Sequence, residues 1–326
     1  MKPCLALLAI VLGAALLAAA PAPAVTLRPG DLVILDNCAG HNRVYHVDHA
    51  TGAMSWVAAA RLLADPSDVA VHPDGRILVA DRTNGVVAID PATGAQSVLS
   101  SGGLFSGGWP GGIAVAPDGD ILVSVDFAAG AGTPAIVRVD STGASQSIVT
   151  SGGFLRWPRG MAIATDGTLF VCDPDGQPAT PYTGAYARGT IVRIALVGGT
   201  QLGQIESEQL SGPFDADWSV TTGRLAEVHA GIMGPCYGGG ALWVDPVSGP
   251  LFAIGGSGNC FNGIAVGSDG ELAFSGMTVL NHDPGDCYVS AGGRTFSGVG
   301  GPLAVVPTNL TPTVGVSWGR IKALYR

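Results

Sequence analysis

Charge is what this sequence has least of. Only 13% of its 326 residues are Asp, Glu, Lys or Arg, and 16 basic side chains stand against 25 acidic ones, a formal net of −9. A chain of that sign repels polyphosphate and anionic lipid, which argues against nucleic acid and acidic membranes as partners and leaves cations and neutral ligands open. The six cysteines (Cys4, Cys38, Cys172, Cys236, Cys260, Cys287) include no Cys-x-x-Cys pair, so a zinc ribbon is not expected. No phosphate-binding loop occurs, which argues against nucleotide chemistry. After residue 20 no apolar run reaches the roughly 18 residues that cross a bilayer.

The apolar run that does occur lies at the start. Lys2, the stretch LALLAIVLGAALLAAA (5–20) and Ala22-Pro23-Ala24 read as a positive end, an apolar segment and a cleavage site before Val25. A membrane-spanning helix is the competing reading, disfavoured by the prolines and small residues that follow at once. Residues 1–24 are therefore expected to be a signal peptide. The mature chain, 25–326, would then be secreted or extracytoplasmic, and its charge −10, because Lys2 leaves with the leader and 15 basic residues face 25 acidic ones. Export permits disulfides, but five mature cysteines are an odd number, so at least one stays free or pairs between chains. Cys172 is the expected free one, because it stands in an apolar strand where Ala80 and Ser124 stand in sister repeats. The other four allow three connectivities, for example Cys236–Cys260 with Cys38–Cys287.

Glycine is plentiful, 50 of 326 residues, and so is one phrase. PSDVAVHPDGRILVAD (66–81) returns as PGGIAVAPDGDILVSVD (110–126) and PRGMAIATDGTLFVCD (158–173). Within a unit, DVAV is a short apolar strand A and HPDG a turn whose Gly supplies positive φ. RILVA is strand B, DRTN a polar loop, GVVAID strand C, PATG a second turn and AQSVLS a more polar strand D. Four antiparallel strands with apolar inner members make a propeller blade. Shorter cousins occur at NGIAV-GSDG (262–270) and DWSV-TTG (217–223). DLVILD (31–36) and RVYHVD (43–48) look like B and C without an A, and GPLAVV (301–306) like an A without a B. A ring resolves both defects and removes exposed sheet edges. The expected fold is all-β: a six-bladed propeller over 25–306, its first blade closed by a C-terminal strand, with five or seven blades as the margins and an open solenoid as the alternative. A Pro/Thr-rich, then basic, tail occupies 307–326, read either as a terminal element packed on the ring or as a sorting tag.

The phrase PxGIAVxPDGxxxVxD resembles the NHL-repeat propellers. It is similar also to the wider six-bladed superfamily of gluconolactonase-like lactonases and streptogramin-lyase-like proteins. The resemblance covers 31–306, strongest at 66–173 and thinnest at 205–240. It implies the fold more firmly than an activity. Gluconolactonase-like enzymes hold a divalent ion at the ring centre with Glu, Asn and Asp; Asn262 matches that Asn, but the Glu-Gly-Pro phrase that carries the Glu is missing, since Asp65, Trp109 and Trp157 precede the corresponding prolines.

Topology selects the candidate residues. The loops before A and between B and C share one face of the ring, and the Asp-Gly turns lie on the other. On the first face come Asp36, Asp81, Asp173 and His229 directly after strand B, with Asp126 one place late, and Ser67-Asp68, Arg159, Asp215 and Asn262 before or within strand A. Carboxylate, amide and imidazole groups suit one divalent cation, Ca²⁺, Mg²⁺ or Zn²⁺, with Asp36, Asp81, Asp173, Asp215 and Asn262 as metal candidates. The competing role for the Asp after strand B is to cap the B–C loop through backbone N–H groups. Residues that break the repeat are the better candidates for ligand contact: Arg159, Asn262, Asp215 and His229, the last as a general base. Trp109, Trp157 and Phe261 form either an aromatic rim for a sugar or peptide or wedges between blades. The leading expectation is a monomeric ligand- or partner-binding propeller whose central face takes a small molecule, glycan or protein. The alternative is a divalent-metal-dependent lactonase or lyase.

Overall fold

The computed structural model describes residues 24–310 except 38–39, 176–188, 211, 230–239, 256–258, 279–286, 292–293 and 298–300. The leader and the tail beyond 310 lie outside the described residues, as do Cys38 and Cys236 and the side chains of Cys260, Phe261, Asn262 and Cys287. Strand pairing gives six four-stranded antiparallel sheets. Five are described with side chains over most of their length. The sixth, Asn259–Ser297, is described mainly through its backbone pairing. Cys172 is free and buried, as its place in an apolar strand requires.

The second blade shows how the sequence builds each unit. Its strands are Pro66–Val71, Ile77–Asp81, Gly85–Ile89 and Gln96–Ser100. The middle two are buried at every position, while the polar outermost strand is largely open to solvent. A strand buried on both sides carries a continuous apolar run, and that is what ILVA and GVVAI supply. The Asp-Gly turns close the A–B hairpins with Gly75, Gly119, Gly167 and Gly270 at φ between 83° and 92°. In each, the Asp two residues earlier in the hydrogen-bond ladder accepts the N–H beyond the Gly: Asp74 from Arg76, Asp118 from Asp120, Asp166 from Thr168 and Asp269 from Glu271. At the C–D turns Asp48, Asp90, Asp140 and Asp245 accept an N–H ahead of the Gly, from Thr51, Ala92, Thr142 and Val247. Much of the acidic excess is thus turn architecture.

The two ends of the chain share a sheet. Leu303–Val305 pairs antiparallel with Leu32–Asp36, Leu32 opposite Val305 and Ile34 opposite Leu303. Flanking bonds from Leu35 N–H to Pro302, Val306 N–H to Asp31 and Gly30 N–H to Val306 extend the ladder. Inner strands touch in order round a circle: Pro66–Val71, Pro110–Val115, Met161–Ile163, Pro213–Ser219, Asn259–Val266, Leu303–Val305 and back to Pro66–Val71. Core clusters fill the wedges between neighbouring blades, such as Leu78, Ala80 and Val86 against Ile113, Ile121 and Val123. Among the described residues no helix is long and apolar enough to cross a membrane.

Candidate functional site

Register defines one position where all six inner strands face the axis. Asp68 pairs with Ala80, Asp215 with Val228 and Gly263 with Ser275; Gly112, Gly160 and Pro302 hold the same place beside Ser124, Cys172 and Leu35. Two carboxylates therefore stand on the second and fifth blades, opposite one another across the ring, among residues that carry no polar side chain. Each spans to the next blade. Asp68 accepts the N–H of Val69 and, at 2.7 Å, of Ile113; Asp215 accepts those of Ala216 and, at 3.1 Å, of Ile264. One step further in, Asp217 accepts the N–H of Val266 at 2.8 Å. Burial outweighs these donors. It pushes Asp68 up to about 7 and Asp217 to about 6. Asp215 is raised well above the carboxylate range, with the Asp68 charge the next cause.

Asp68 and Asp215 line cavities on both sides of this waist. On the turn face lies a space of about 540 Å³, walled by Val69, Ile113, Met161 and Trp218. On the loop face lies one of about 370 Å³, lined by Asn37, Asn42, Ser67, Arg82, Arg159 and Phe214. Arg159 is 6% exposed. Its guanidinium carbon sits 3.8 Å from the centroid of Trp157, whose ring meets Phe214 edge-on at 6.2 Å. Burial, then the neighbouring Arg82 charge, lowers the Arg159 pKa to about 10. The sequence puts an arginine here because the position before the axial residue projects into the centre; its counterparts are Ser67 and Gly111 and, on the fifth blade, Phe214.

The residues after strand B do something else. Asp81 accepts three backbone N–H groups, from Asp65, Thr83 and Asn84, at 2.8–3.0 Å. Asp173 accepts those of Arg156, Trp157 and Asp175, and burial raises it to about 6. Asp126 accepts from Trp109, and Asp36 lies 3.1 Å from Nδ1 of His41. Each ties the loop that leads into strand A, or the B–C loop, to its own blade. Among the described residues no three of Asp36, Asp81, Asp173 and Asp215 bring ligand atoms together; Asp81, Asp173 and Asp215 are each held by backbone donors, in separate blades. Among the described residues the group that does converge, within 4.8 Å, is His49, Asp269 and Glu271 on the turn face, all exposed. Replacing Asp81 with Ala strands three N–H groups and should cost about 2 kcal/mol in urea unfolding, with Asn recovering part of it; an unchanged midpoint would contradict the capping role.

His229 is buried and does not line the loop-face cavity. Its Nδ1 is 3.2 Å from Oε2 of Glu227, a fully buried acid that sequence reasoning missed although an acid inside the strand RLAEVH was a visible anomaly. Burial raises Glu227, and the Glu227 charge raises His229 despite its desolvation. Trp109 is 58% exposed on the rim. Asn262 is the bulged residue between Phe261 and Gly263, and its side chain lies outside the described residues.

Comparison with known proteins agrees on the fold. The NHL repeat model matches residues 63–89, and no curated protein matches the chain. Among solved structures, a chain of a nidogen–laminin complex is 14% identical with a TM-score of 0.60, over 85% of this chain and 98% of that one. TolB from Acinetobacter baumannii is 17% identical with a TM-score of 0.57, over 85% and 67%. A gluconolactonase from Xanthomonas campestris is 15% identical with a TM-score of 0.56, over 83% and 95%. At such identities the likeness is one of fold. The chain is a β-propeller of four-stranded antiparallel blades that carries an NHL repeat over residues 63–89.

Proposed function

We propose that this protein is an exported propeller that binds a small molecule in the loop-face cavity on its axis and performs no chemistry on it. The observation that carries the reading is Arg159, a buried guanidinium without an ion pair among the described residues, lining a 370 Å³ space. A cavity of that size suits a metabolite or a sugar unit, and Phe214 on its wall offers an aromatic surface. The leader-like residues 1–24 support export. A nidogen–laminin complex among similar structures is in keeping with a binding role, and the gluconolactonase is the neighbour from which the enzymatic alternative would come. His229 gives that alternative no support, because it points along the strand face shared with Glu227 and does not reach the cavity.

The test is a thermal-shift screen of the purified protein against small metabolites and sugars, beside Ala64→Trp. Ala64 is exposed on the cavity wall, so a tryptophan there fills the mouth without touching the core. Compounds that stabilise the wild type and not the plugged variant are expected. A screen in which every hit survives the plug would sink the reading. Lactone hydrolysis abolished by the plug would overturn its non-catalytic part.

A further inference from the structure

We infer that the loop-face cavity takes an oxyanion, a carboxylate or phosphate group, gripped between Arg159 and Arg82. The inference rests on the binding role proposed above and names the chemistry of the ligand.

Both arginines line the cavity, and in both the Nε–H is buried without a hydrogen-bond partner. Arg159 has no ion pair among the described residues; its contact is the Trp157 face. Arg82 reaches Asp65 through Nη1 at 3.6 Å, too long for a hydrogen bond, and its side chain is 33% exposed. Two like charges thus face one space in a chain that is acidic overall, each increasing the cost of the other. A buried charge is stable when paired. The charges of Asp126, Asp173 and Asp175 act on Arg159, but among the described residues none is ion-paired with it; Asp173 has both oxygens on backbone N–H groups, and Asp126 accepts the Trp109 N–H. The missing partner is an anion. Guanidinium forks match the paired oxygens of carboxylate and phosphate, and a ligand oxygen between them would satisfy both Nε–H donors.

The other wall groups suit the rest of such a molecule. Asn37 and Asn42 donate to the carbonyls of Pro66 and Ala64 through Nδ2, which leaves their Oδ1 atoms as acceptors for ligand hydroxyls. Asp68 and Asp215 form the floor, and burial raises both above the ordinary carboxylate range, so an anion there meets less negative charge than two ordinary carboxylates would present.

Titration calorimetry of the intact protein with inorganic phosphate and with succinate, at constant ionic strength, tests this. Saturable binding of at least one probe is expected, weakened tenfold or more in Arg159→Met, less in Arg159→Lys, and lost in Ala64→Trp. Whichever probe binds better identifies the source, phosphate ester or carboxylate. Free of ligand, Arg159→Met should melt no lower than the wild type, because it removes an unpaired buried charge; a merely structural arginine would give a clear drop. Should Arg159→Met not fold, Arg82→Met, at a partly exposed residue, carries the same expectation. No saturable binding of either probe, or binding indifferent to both arginine substitutions, overturns the assignment. Uncharged ligands that Ala64→Trp excludes and Arg159→Met leaves unaffected would also overturn it, while leaving the cavity as a binding site.

Discussion

Gly112→Ala should destabilise the protein by about 3 kcal/mol or more, which would be among the larger effects any single methyl group has in a folded chain. A Cβ built at Gly112 would lie 2.3 Å from the carbonyl oxygen of Arg159, 2.8 Å from its carbon and 3.0 Å from Cα of Gly160. All three atoms are backbone of the next blade, so no rotamer change can relieve the clash. Ser124 holds that backbone in place: its Oγ accepts the N–H of Gly112 and lies 2.9 Å from the carbonyl oxygen of Arg159. The third and fourth blades would have to separate at the axis, where Arg159 is anchored. A turn glycine sets the scale. Gly167 has φ of 83° with nothing within 4 Å of its Cβ position, so Gly167→Ala should cost only about 1 kcal/mol, for backbone conformation alone. Urea midpoints for the two variants check the comparison, and a Gly112→Ala loss no larger than that of Gly167→Ala would mean that the blades do not meet as closely as described.

The blade was legible in the sequence because its information is local. Asp-Gly turns, buried strands and polar outer strands each announce themselves within a few residues, and the split first blade betrayed the ring. The axis was less legible, because it is assembled from positions more than forty residues apart and only their mutual register gives them meaning. Asp68 read as the first residue of an apolar strand. Once the inner strands are stacked, it matches Asp215 across the ring, while Gly112 matches Gly263 and Ser124 matches Ser275. Ser124 and Ser275 each bond a carbonyl of the following blade, Arg159 or Gly301. The second and third blades thus repeat the fifth and sixth at the axis, a symmetry that an alignment of A strands alone could have exposed. Arg82 was invisible for the opposite reason: a basic residue in a polar loop attracts no notice until the loop is seen to border a cavity. The recurring Asp after strand B allowed both a metal and a capping reading; regular recurrence is the mark of a fold-keeping role, and Asp81 and Asp173 do accept backbone N–H groups.

Stability should fall as pH rises from about 5 to 8, contrary to the behaviour of an ordinary acidic protein whose carboxylates are paired. Asp68, with its folded value near 7, binds a proton in the native state that the unfolded chain has already lost. For a raised group the stabilisation is complete below the unfolded carboxylate pKa and is lost as pH climbs through the folded one. Asp217 and Asp173, both near 6, act in the same window. Asp215, Glu227 and His229 are shifted in the same sense. The depressed turn acids, Asp48, Asp140 and Asp245, pull the other way but only below about pH 4, where they begin to protonate in the unfolded chain. Asp68 alone, raised to about 7, implies a loss on the order of 2–3 kcal/mol between pH 5 and 8. Asp68→Asn and Asp215→Asn imitate the protonated acid and keep one acceptor for the neighbouring blade's N–H, so each should flatten the profile and raise stability at pH 8. Urea denaturation across that range decides the matter: a wild-type profile that rises toward pH 8, or one whose slope both Asn variants retain, would place these carboxyls in water instead of at a dry waist. If the slope is as expected, the floor of the loop-face cavity gains negative charge through the neutral range, and any anion held by Arg159 and Arg82 would feel that charge from below.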